Sequence, residues 1–237
     1  MRRRTLLAGL AAVIGSVGLL APSATPATAA TDPAKATITI VHGIPGANGF
    51  PVDIYANGSK ILSSIPFGWV ITFKAAPGSY DLAIRGAGAA ASSPAVLAGT
   101  VPFPAGTHKS VVANLTADGT PTISVFSNDT SPVPAGKARV TVRHLAKAPA
   151  IDVVANSSLR VVQGASNGQE AVIEVPAARY ELKLTLPGQK AGVYYTAYPF
   201  KEGVNTIMYA IGDIGGKFTV QPQEIMTSVA MPAPVGS

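Results

Sequence analysis

The sequence contains no cysteine and few charged or aromatic residues. Of its 237 residues, 13% are charged, 6% are aromatic and only three are histidine. Without cysteine, neither a disulfide framework nor a thiolate metal site can form. With 47% hydrophobic residues, the chain also has too much apolar character for a disordered acidic or basic protein. These deficits predict a globular fold held together by packing and strand pairing alone, with no metal and no other cofactor.

The first 30 residues have the three-part plan of a secretory signal peptide. Arginines at positions 2 to 4 precede an uncharged run of 15 residues from Leu6 to Leu20, and small residues follow up to Ala29. The apolar run is shorter than the roughly 20 residues that a membrane-spanning helix needs. We therefore predict a signal peptide over residues 1–30, with cleavage near Ala29. The paired arginines suit the general secretory route and the twin-arginine route equally.

Removal of this leader would halve the positive charge of the chain. Three of the 18 basic residues lie within it, which leaves 15 against 12 acidic residues and lowers the net charge from +6 to +3. That surplus is too small to predict nucleic-acid binding. No second long apolar segment follows, so the mature protein is expected to be secreted, extracellular or associated with the cell wall, without a membrane segment.

Four pairs of similar segments lie about 100 residues apart. Residues 37–42 match 139–144, residues 51–57 match 150–156, residues 79–82 match 179–182, and residues 103–106 match 200–203. Each repeat therefore has the length of one small domain. The predicted organisation is a first repeat over 36–130, a Pro/Gly linker over 131–137, a second repeat over 138–226 and a flexible tail over 227–237.

Within each repeat, apolar residues alternate along short segments. Ile38 with Ile40, and Val52 with Ile54, show the period of two that is typical of a strand, and Asn57-Gly58 supplies a two-residue hairpin turn. Roughly seven or eight such segments per repeat, without helical periodicity, are typical of a β-sandwich. The predicted fold class is all-β, with two tandem immunoglobulin-like antiparallel β-sandwich domains after a signal peptide.

The repeated motifs also resemble a known family. A strand ending in His42, the segment Val52-Asp-Ile-Tyr-Ala-Asn-Gly58 and the segment Ala76-Pro-Gly-Ser-Tyr-Asp-Leu82 are similar to the family called domain of unknown function 4397, and residues 142–182 carry looser copies. The resemblance implies two tandem copies in a secreted or envelope-associated bacterial protein of the actinobacterial type. It implies no activity.

A histidine ends the first strand of each repeat, and an aspartate lies in the second strand. His42 and His144 have the parity of the apolar residues before them, so both rings should start on the core side. We favour structural roles, with buried histidines bonded by backbone and with Asp53 and Asp152 bonding loop amides. The alternative is a secreted hydrolase that pairs His42 with Asp53 or His144 with Asp152. Because no nucleophile or second acid accompanies either pair, we predict that the chain is not an enzyme.

Basic residues alternate along the first strand of the second repeat. Lys137, Arg139 and Arg143 lie on the face away from the apolar residues, Lys147 follows just beyond, and Tyr195 is predicted to face outward. These five residues are predicted to form a binding surface for a cell-wall polymer, a glycan or another envelope protein. The alternative is a solvated sheet face, or an edge that charge protects against strand pairing.

The single tryptophan is predicted to be structural. Trp69 has the parity of Ile71 and Phe73, which indicates packing in the core rather than a place in an aromatic platform for sugars. The predicted function is therefore an exported, non-catalytic binding or structural module at or outside the cell envelope. A carbohydrate-binding module that uses loop aromatics is the alternative.

Overall fold

Strands form the regular structure of the described part of the chain. The computed structural model describes residues 34–46, 51–227 and 229–230, and within these it contains eighteen β-strands and no helix. All the described residues fall within one compact unit. The predicted signal peptide, its cleavage site near Ala29 and the last residues of the predicted tail lie outside the described residues.

The first eight strands build one sandwich of two four-stranded sheets. They are β1 (Ala36–His42), β2 (Val52–Ala56), β3 (Ser59–Ile65), β4 (Val70–Ala75), β5 (Gly78–Gly86), β6 (Leu97–Phe103), β7 (His108–Leu115) and β8 (Pro121–Ser127). One sheet has the strand order β4-β1-β7-β8, and the other has the order β3-β2-β5-β6. We call these the inner and the outer sheet of the first sandwich.

A second sandwich with the same strand order follows the short strand β9 (Val133–Pro134). Its strands are β10 (Lys137–Lys147), β11 (Ile151–Ala155), β12 (Leu159–Ala165), β13 (Glu170–Pro176), β14 (Ala178–Thr185), β15 (Gly192–Phe200), β16 (Val204–Asp213) and β17 (Phe218–Met226). Its inner sheet has the order β13-β10-β16-β17, and its outer sheet has the order β12-β11-β14-β15. The predicted all-β class with two sandwich domains is confirmed.

One ladder in each inner sheet is parallel, so the prediction of purely antiparallel sheets is wrong there. Strand β1 runs parallel to β7, with Thr37 opposite His108, and β10 runs parallel to β16, with Arg139 opposite Asn205. Parallel neighbours need a long crossover connection, and the strands between them in the chain supply it. Local alternation and hairpin turns do not reveal a pairing between strands so distant in sequence.

Each sandwich has its own apolar core between its inner and outer sheets. Ile38, Ile54 and Phe103 belong to the core of the first sandwich. Val140 and Val153 hold the corresponding positions in the core of the second. The period of two in the sequence therefore places one face of each strand in a core.

A third apolar cluster joins the two inner sheets. It groups Val41 and Val112 of the first sandwich with Leu145, Ile207 and Ile211 of the second, and all five are fully buried. The central strands of both inner sheets are consequently buried on both faces. The four sheets stack in the order outer, inner, inner, outer.

A two-stranded ladder lies within the predicted linker and tail. Strand β9 pairs in parallel with β18 (Val229–Ala230), and Val133 of β9 is fully buried. Part of the predicted linker is thus packed against the protein. Val229 and Ala230, which lie within the predicted tail, form the other half of this ladder.

Candidate functional site

Arg143, predicted to lie on an exposed basic surface, is buried between the two sandwiches. Only 1% of this residue is exposed. Its guanidinium donates to Asn128 Oδ1 at 2.9 Å and to the Tyr209 hydroxyl at 3.2 Å. It also donates to Glu170 Oε2 at 2.9 Å and lies 4.3 Å from the centre of the Phe126 ring. The surface prediction is therefore wrong for Arg143.

Arg139 is withdrawn from solvent in the same way. Its guanidinium donates to the carbonyl oxygens of Ser131 at 3.0 Å and Pro132 at 3.2 Å. Ion pairs to Asp129 at 3.0 Å and Glu174 at 3.1 Å complete its surroundings. Arg139 is 6% exposed, so it fixes the chain before β10 and offers no binding surface.

The two lysines of the predicted basic surface lie at opposite ends of β10. Lys137 is half-buried, and Lys147 pairs with Asp213 at 3.1 Å. Strand β10 has 11 residues, which separates the two lysines by about 33 Å. The structure therefore does not bring the basic residues of β10 together into one accessible patch.

Polar side chains form a hydrogen-bonded seam between the inner sheets. The Tyr209 hydroxyl lies 2.7 Å from the Ser110 hydroxyl and donates to Gln223 Oε1 at 2.6 Å. Gln223 Nε2 in turn donates to the Thr39 hydroxyl at 2.7 Å. Burial raises the pKa of the Tyr209 hydroxyl, and the positive charge of Arg143 opposes that rise. The polar face of β10 is thus part of an interior contact.

Both histidines at the strand ends are buried. His144 is fully buried, and its Nε2 lies 2.9 Å from the carbonyl oxygen of Pro149. Burial lowers the pKa of the His144 imidazole. His42 is 3% exposed and borders the core of the first sandwich beside Ile40 and Ile54. Neither ring is open to a substrate in solvent.

The two aspartates bind backbone amides at irregular points of the outer sheets. Asp53 Oδ2 accepts a hydrogen bond from Lys60 Nζ at 2.6 Å, and its Oδ1 accepts one from the Ser64 amide at 2.9 Å. Asp152 Oδ1 accepts one from the Gly164 amide at 2.7 Å. The bonds from Lys60 and from the Ser64 amide lower the pKa of Asp53. Each carboxylate therefore stabilises an irregularity in the ladder between its own strand and the next one, β2 with β3 or β11 with β12.

The alternation of strand β2 separates Asp53 from His42. Val52 and Ile54 belong to the core of the first sandwich, so Asp53 between them faces away from that core. His42 remains on the core side, and the outer sheet lies between the two side chains. The structure therefore does not assemble the first His–Asp pair of the hydrolase alternative.

Trp69 lies outside the core, contrary to prediction. It is 54% exposed, and it precedes β4, whose ladder with β1 ends at Val70. Gly68 beside it has a φ of +88°, a turn conformation that breaks the alternation of the strand. Parity counted from Ile71 therefore fails at Trp69, because the residue belongs to a turn.

A polar cavity of about 750 Å³ opens on the outer sheet of the second sandwich. Its lining comes from strands β11, β12 and β14 and from the loop between β14 and β15. The charged side chains in the lining are Asp152, Arg160, Lys183 and Lys190. The volume lies within the range of roughly 300–1,000 Å³ that is usual for ligand sites.

Positive charge exceeds negative charge in this cavity. The Arg160 guanidinium lies 3.8 Å from Asp152 Oδ2, which is a loose ion pair. Lys183 Nζ donates to the carbonyl oxygen of Lys190 at 3.3 Å. Among the described residues, no acidic side chain pairs with Lys183 or Lys190. Two ammonium groups are thus available to an anionic ligand.

Tyr195 lies beside the cavity and is 66% exposed. Its hydroxyl accepts a hydrogen bond from the Gly192 amide at 2.9 Å. A Cβ at Gly192 would come within 2.5 Å of the Tyr195 ring and 2.8 Å of the Lys183 side chain. Glycine therefore lets an exposed aromatic ring pack against the backbone next to polar groups, an arrangement suited to contact a sugar ring.

Tyr195 was predicted from the sequence to face outward, whereas the three cations of the cavity, Arg160, Lys183 and Lys190, were not predicted. Lys183 alternates with the core residues Leu182 and Leu184, so its outward parity could have been counted. Lys190 lies in the loop after β14, where no period applies. The two lysines come together because that loop folds back over the sheet, and the path of a loop cannot be predicted from residue alternation.

The described residues contain no group of three or more histidine or acidic side chains placed to hold a metal ion. They also contain no helix long and apolar enough to span a membrane.

The chain belongs to the family described as Domain of unknown function (DUF4397), which matches residues 36–154. The match covers the first sandwich and continues into β11 of the second. No protein with a curated description matches the chain.

Three solved structures match this chain at low sequence identity and low TM-score. A streptococcal virulence factor described for alpha-glucan binding is 10% identical, with a TM-score of 0.27 and coverage of 78% of this chain and 96% of that one. A family 26 carbohydrate-binding module from Eubacterium rectale is 11% identical, with a TM-score of 0.25 and coverage of 78% and 95%. A cell adhesion protein from Bacteroides ovatus is 10% identical, with a TM-score of 0.27 and coverage of 84% and 100%.

Proposed function

We propose that this chain is an exported, non-catalytic binding protein whose ligand is a glycan or anionic polymer of the cell envelope. The observation that carries the proposal is the polar cavity of the second sandwich. Lys183 and Lys190 offer two uncompensated cations there, and Tyr195 adds an exposed ring beside them. Cations that hold carboxylates or phosphates, next to an aromatic surface for a sugar, match the chemistry of such polymers.

The charge distribution supports the same site. The residues from 31 to 136 contain five basic and five acidic side chains, so the surplus of +3 outside the leader belongs entirely to the second repeat. The buried Arg139 and Arg143 are neutralised by ion pairs with Asp129 and Glu170. The uncompensated positive charge of the second repeat is therefore found partly at this cavity.

Export is the part of the proposal that rests on the sequence. The arginine-rich start, the apolar run and the small residues before Ala29 support secretion, with either release or association with the cell wall. Absence of the mature chain, cleaved near Ala29, from both the culture fluid and the wall fraction of the source bacterium would refute export.

We also propose that the second sandwich is a second copy of the family domain. Both sandwiches have the same strand order. Both use an aspartate to bind a bulge amide, through Asp53 with Ser64 and Asp152 with Gly164. Both also use a turn asparagine, Asn57 or Asn156, to bind an amide of the next long strand.

The binding proposal is tested by sedimentation of the purified protein with purified cell walls. The variant Lys183→Gln/Lys190→Gln should reduce retention on walls about tenfold at low salt, because two charge contacts are lost. Lys35→Gln is the matched control, since Lys35 is exposed and precedes the first sandwich. Equal retention of the wild type and the double variant would contradict the proposal.

The salt dependence of binding and the variant Tyr195→Ala distinguish an anionic polymer from a neutral glycan. Binding to an anionic polymer should weaken steeply as salt is raised from about 50 to about 500 mM, because screening acts on exposed charges. Binding to a neutral glycan should resist salt and should be lost in Tyr195→Ala. Retention that is insensitive both to salt and to Tyr195→Ala would place the ligand elsewhere. Another envelope protein would then be the partner to seek.

A further inference from the structure

An apolar cleft opens along one side of the first sandwich. It has a volume of about 420 Å³ and lies between the inner and outer sheets, where the edge strands β3 and β4 face each other. Ile40, Ile71, Phe73 and Phe103 are among its apolar lining residues. Tyr80 presents its ring to the cleft while its hydroxyl donates to a backbone carbonyl at 2.8 Å. Almost no polar group therefore faces the space.

The same side of the second sandwich is closed. Ile61 of β3 is 42% exposed, whereas Val161 at the corresponding position of β12 is 8% exposed. Tyr80 is half-buried, whereas the matching Tyr180 is 6% exposed. Strands β12 and β13 also approach each other more closely than β3 and β4. An open cleft is thus a property of the first sandwich and not of the shared fold.

Three facing positions differ in side-chain size between the two sandwiches. Ile71 pairs with β1 where the second sandwich has Ala171 paired with β10, and Phe73 stands where the second sandwich has Ile173. Ala75, in contrast, is smaller than Val175 at the matching position. Less side-chain volume therefore fills the space between the sheets next to Ala75.

We propose that this cleft binds a single-chain amphiphile, a long aliphatic chain with a carboxylate head such as a fatty acid. An apolar surface of this size in contact with water is unfavourable, and an aliphatic chain would remove it from water. The volume of about 420 Å³ lies within the range of roughly 300–1,000 Å³ that is usual for small-ligand sites. This inference is independent of the proposed polar site on the second sandwich.

Lys74 supplies the charge that selects the head group. It is the one charged residue in the lining of the cleft, it is exposed, and it makes no ion pair with any described residue. Because β4 is an edge strand, its flexible stem can bring the ammonium to the mouth of the cleft. One ammonium with no arginine in the lining suits a monoanionic carboxylate better than a phosphate.

Calorimetric titration of the full chain with laurate tests the inference. Dodecyl maltoside provides the same chain without charge, and dodecyltrimethylammonium provides the opposite charge. Laurate should bind below its micellar concentration at about one molecule per chain, more tightly than the neutral amphiphile, with the cationic one weakest. Lys74→Gln should weaken laurate binding about threefold to tenfold and leave dodecyl maltoside unchanged, while Lys35→Gln should change neither.

Variants that fill the cleft test the same inference in a second way. Ala75 lines the cleft and is half-buried, and the second sandwich has the larger Val175 at this position. Because a leucine side chain would occupy the cleft, Ala75→Leu should abolish binding of laurate and of dodecyl maltoside. If Ala75→Leu fails to fold, Ala75→Val introduces the residue of the closed sandwich and should also reduce binding of both amphiphiles.

Three results would overturn the inference. The first is no laurate binding by the wild type, and the second is laurate binding that survives both cleft variants. The third is binding of lauroyl lysophosphatidylglycerol but not of laurate, which would reject the carboxylate. Sedimentation velocity adds a fourth test, because a dimer that Ala75→Leu dissociates would assign the cleft to a second copy of the chain.

Discussion

Replacing Arg143 with methionine tests the buried seam between the two sandwiches. Methionine keeps an unbranched apolar stem in place of the arginine stem and removes the guanidinium. Four hydrogen bonds are lost, to Asn128, Glu170, Tyr209 and the Ser127 carbonyl, together with the contact on the Phe126 ring. The perturbation therefore removes the charge from the seam while conserving much of the packing.

The expected loss of stability follows from what each partner retains. Hydrogen bonds to a charged group contribute roughly 1.5–3 kcal/mol each, and breaking a buried ion pair by removing one partner costs roughly 3–5 kcal/mol. The Glu170 side chain is 40% exposed, so water solvates its carboxylate after the change. Asn128 Oδ1 can accept from the Ser110 hydroxyl, and the Tyr209 hydroxyl keeps its bond to Gln223. The free energy of unfolding should therefore fall by about 3 kcal/mol, at the low end of that range.

Equilibrium unfolding in urea, followed by far-ultraviolet circular dichroism, measures this loss. Arg179→Met is the matched control, because Arg179 is exposed on β14 and its change should cost less than about 0.5 kcal/mol. A loss for Arg143→Met no greater than for Arg179→Met would refute the assignment of Arg143 to a buried seam.

Three further perturbations probe single positions of the fold, each by urea unfolding. Ser157 has a φ of +66° in its turn, so Ser157→Gly should raise the free energy of unfolding by about 1 kcal/mol, and a loss would contradict the strain. A Cβ at Gly212 would collide with a backbone carbonyl oxygen across the β16–β17 turn, so Gly212→Ala should lower the free energy of unfolding by more than about 3 kcal/mol. Gly86 has open space around it, so the control Gly86→Ala should lower it by less than about 1 kcal/mol. Because the folded state lowers the pKa of Asp53, its ionised form stabilises the protein above pH of about 4, and this contribution is lost as the pH falls through the folded-state pKa. Asp53→Asn should remove that part of the acid sensitivity, and an unchanged pH profile would count against the Lys60 contact.

Period-two alternation was sufficient to predict the sandwich class and the core faces. Ile38, Ile40, Val140 and Val142 face the cores because a strand turns successive side chains to opposite sides. Trp69 shows where this rule ends. A glycine with positive φ precedes it, and parity does not continue through a turn.

The seam between the inner sheets could not be predicted from the same pattern. Arg139 and Arg143 alternate with core valines, and the same pattern is typical of a strand whose polar face contacts water. Their burial follows from partners on distant parts of the chain, such as Asn128 and Tyr209, and those partners satisfy the buried charge. Sequence alternation distinguishes the two faces of a strand, but it does not show whether the polar face contacts water or a second sheet.

The stacking of four sheets confines ligand binding to the outside of the molecule. The central inner strands have no free face, so a contact with a large polymer must use the outer sheets or the open edges. The polar cavity with Lys190 lies on an outer sheet, and the apolar cleft with Lys74 lies along an open edge of the other sandwich. A change on β10 that abolished binding would therefore report the loss of the seam rather than the loss of a ligand contact. Lys74→Gln and Lys190→Gln should leave stability unchanged within about 0.5 kcal/mol and act on different ligands, so their effects should be additive in the double variant.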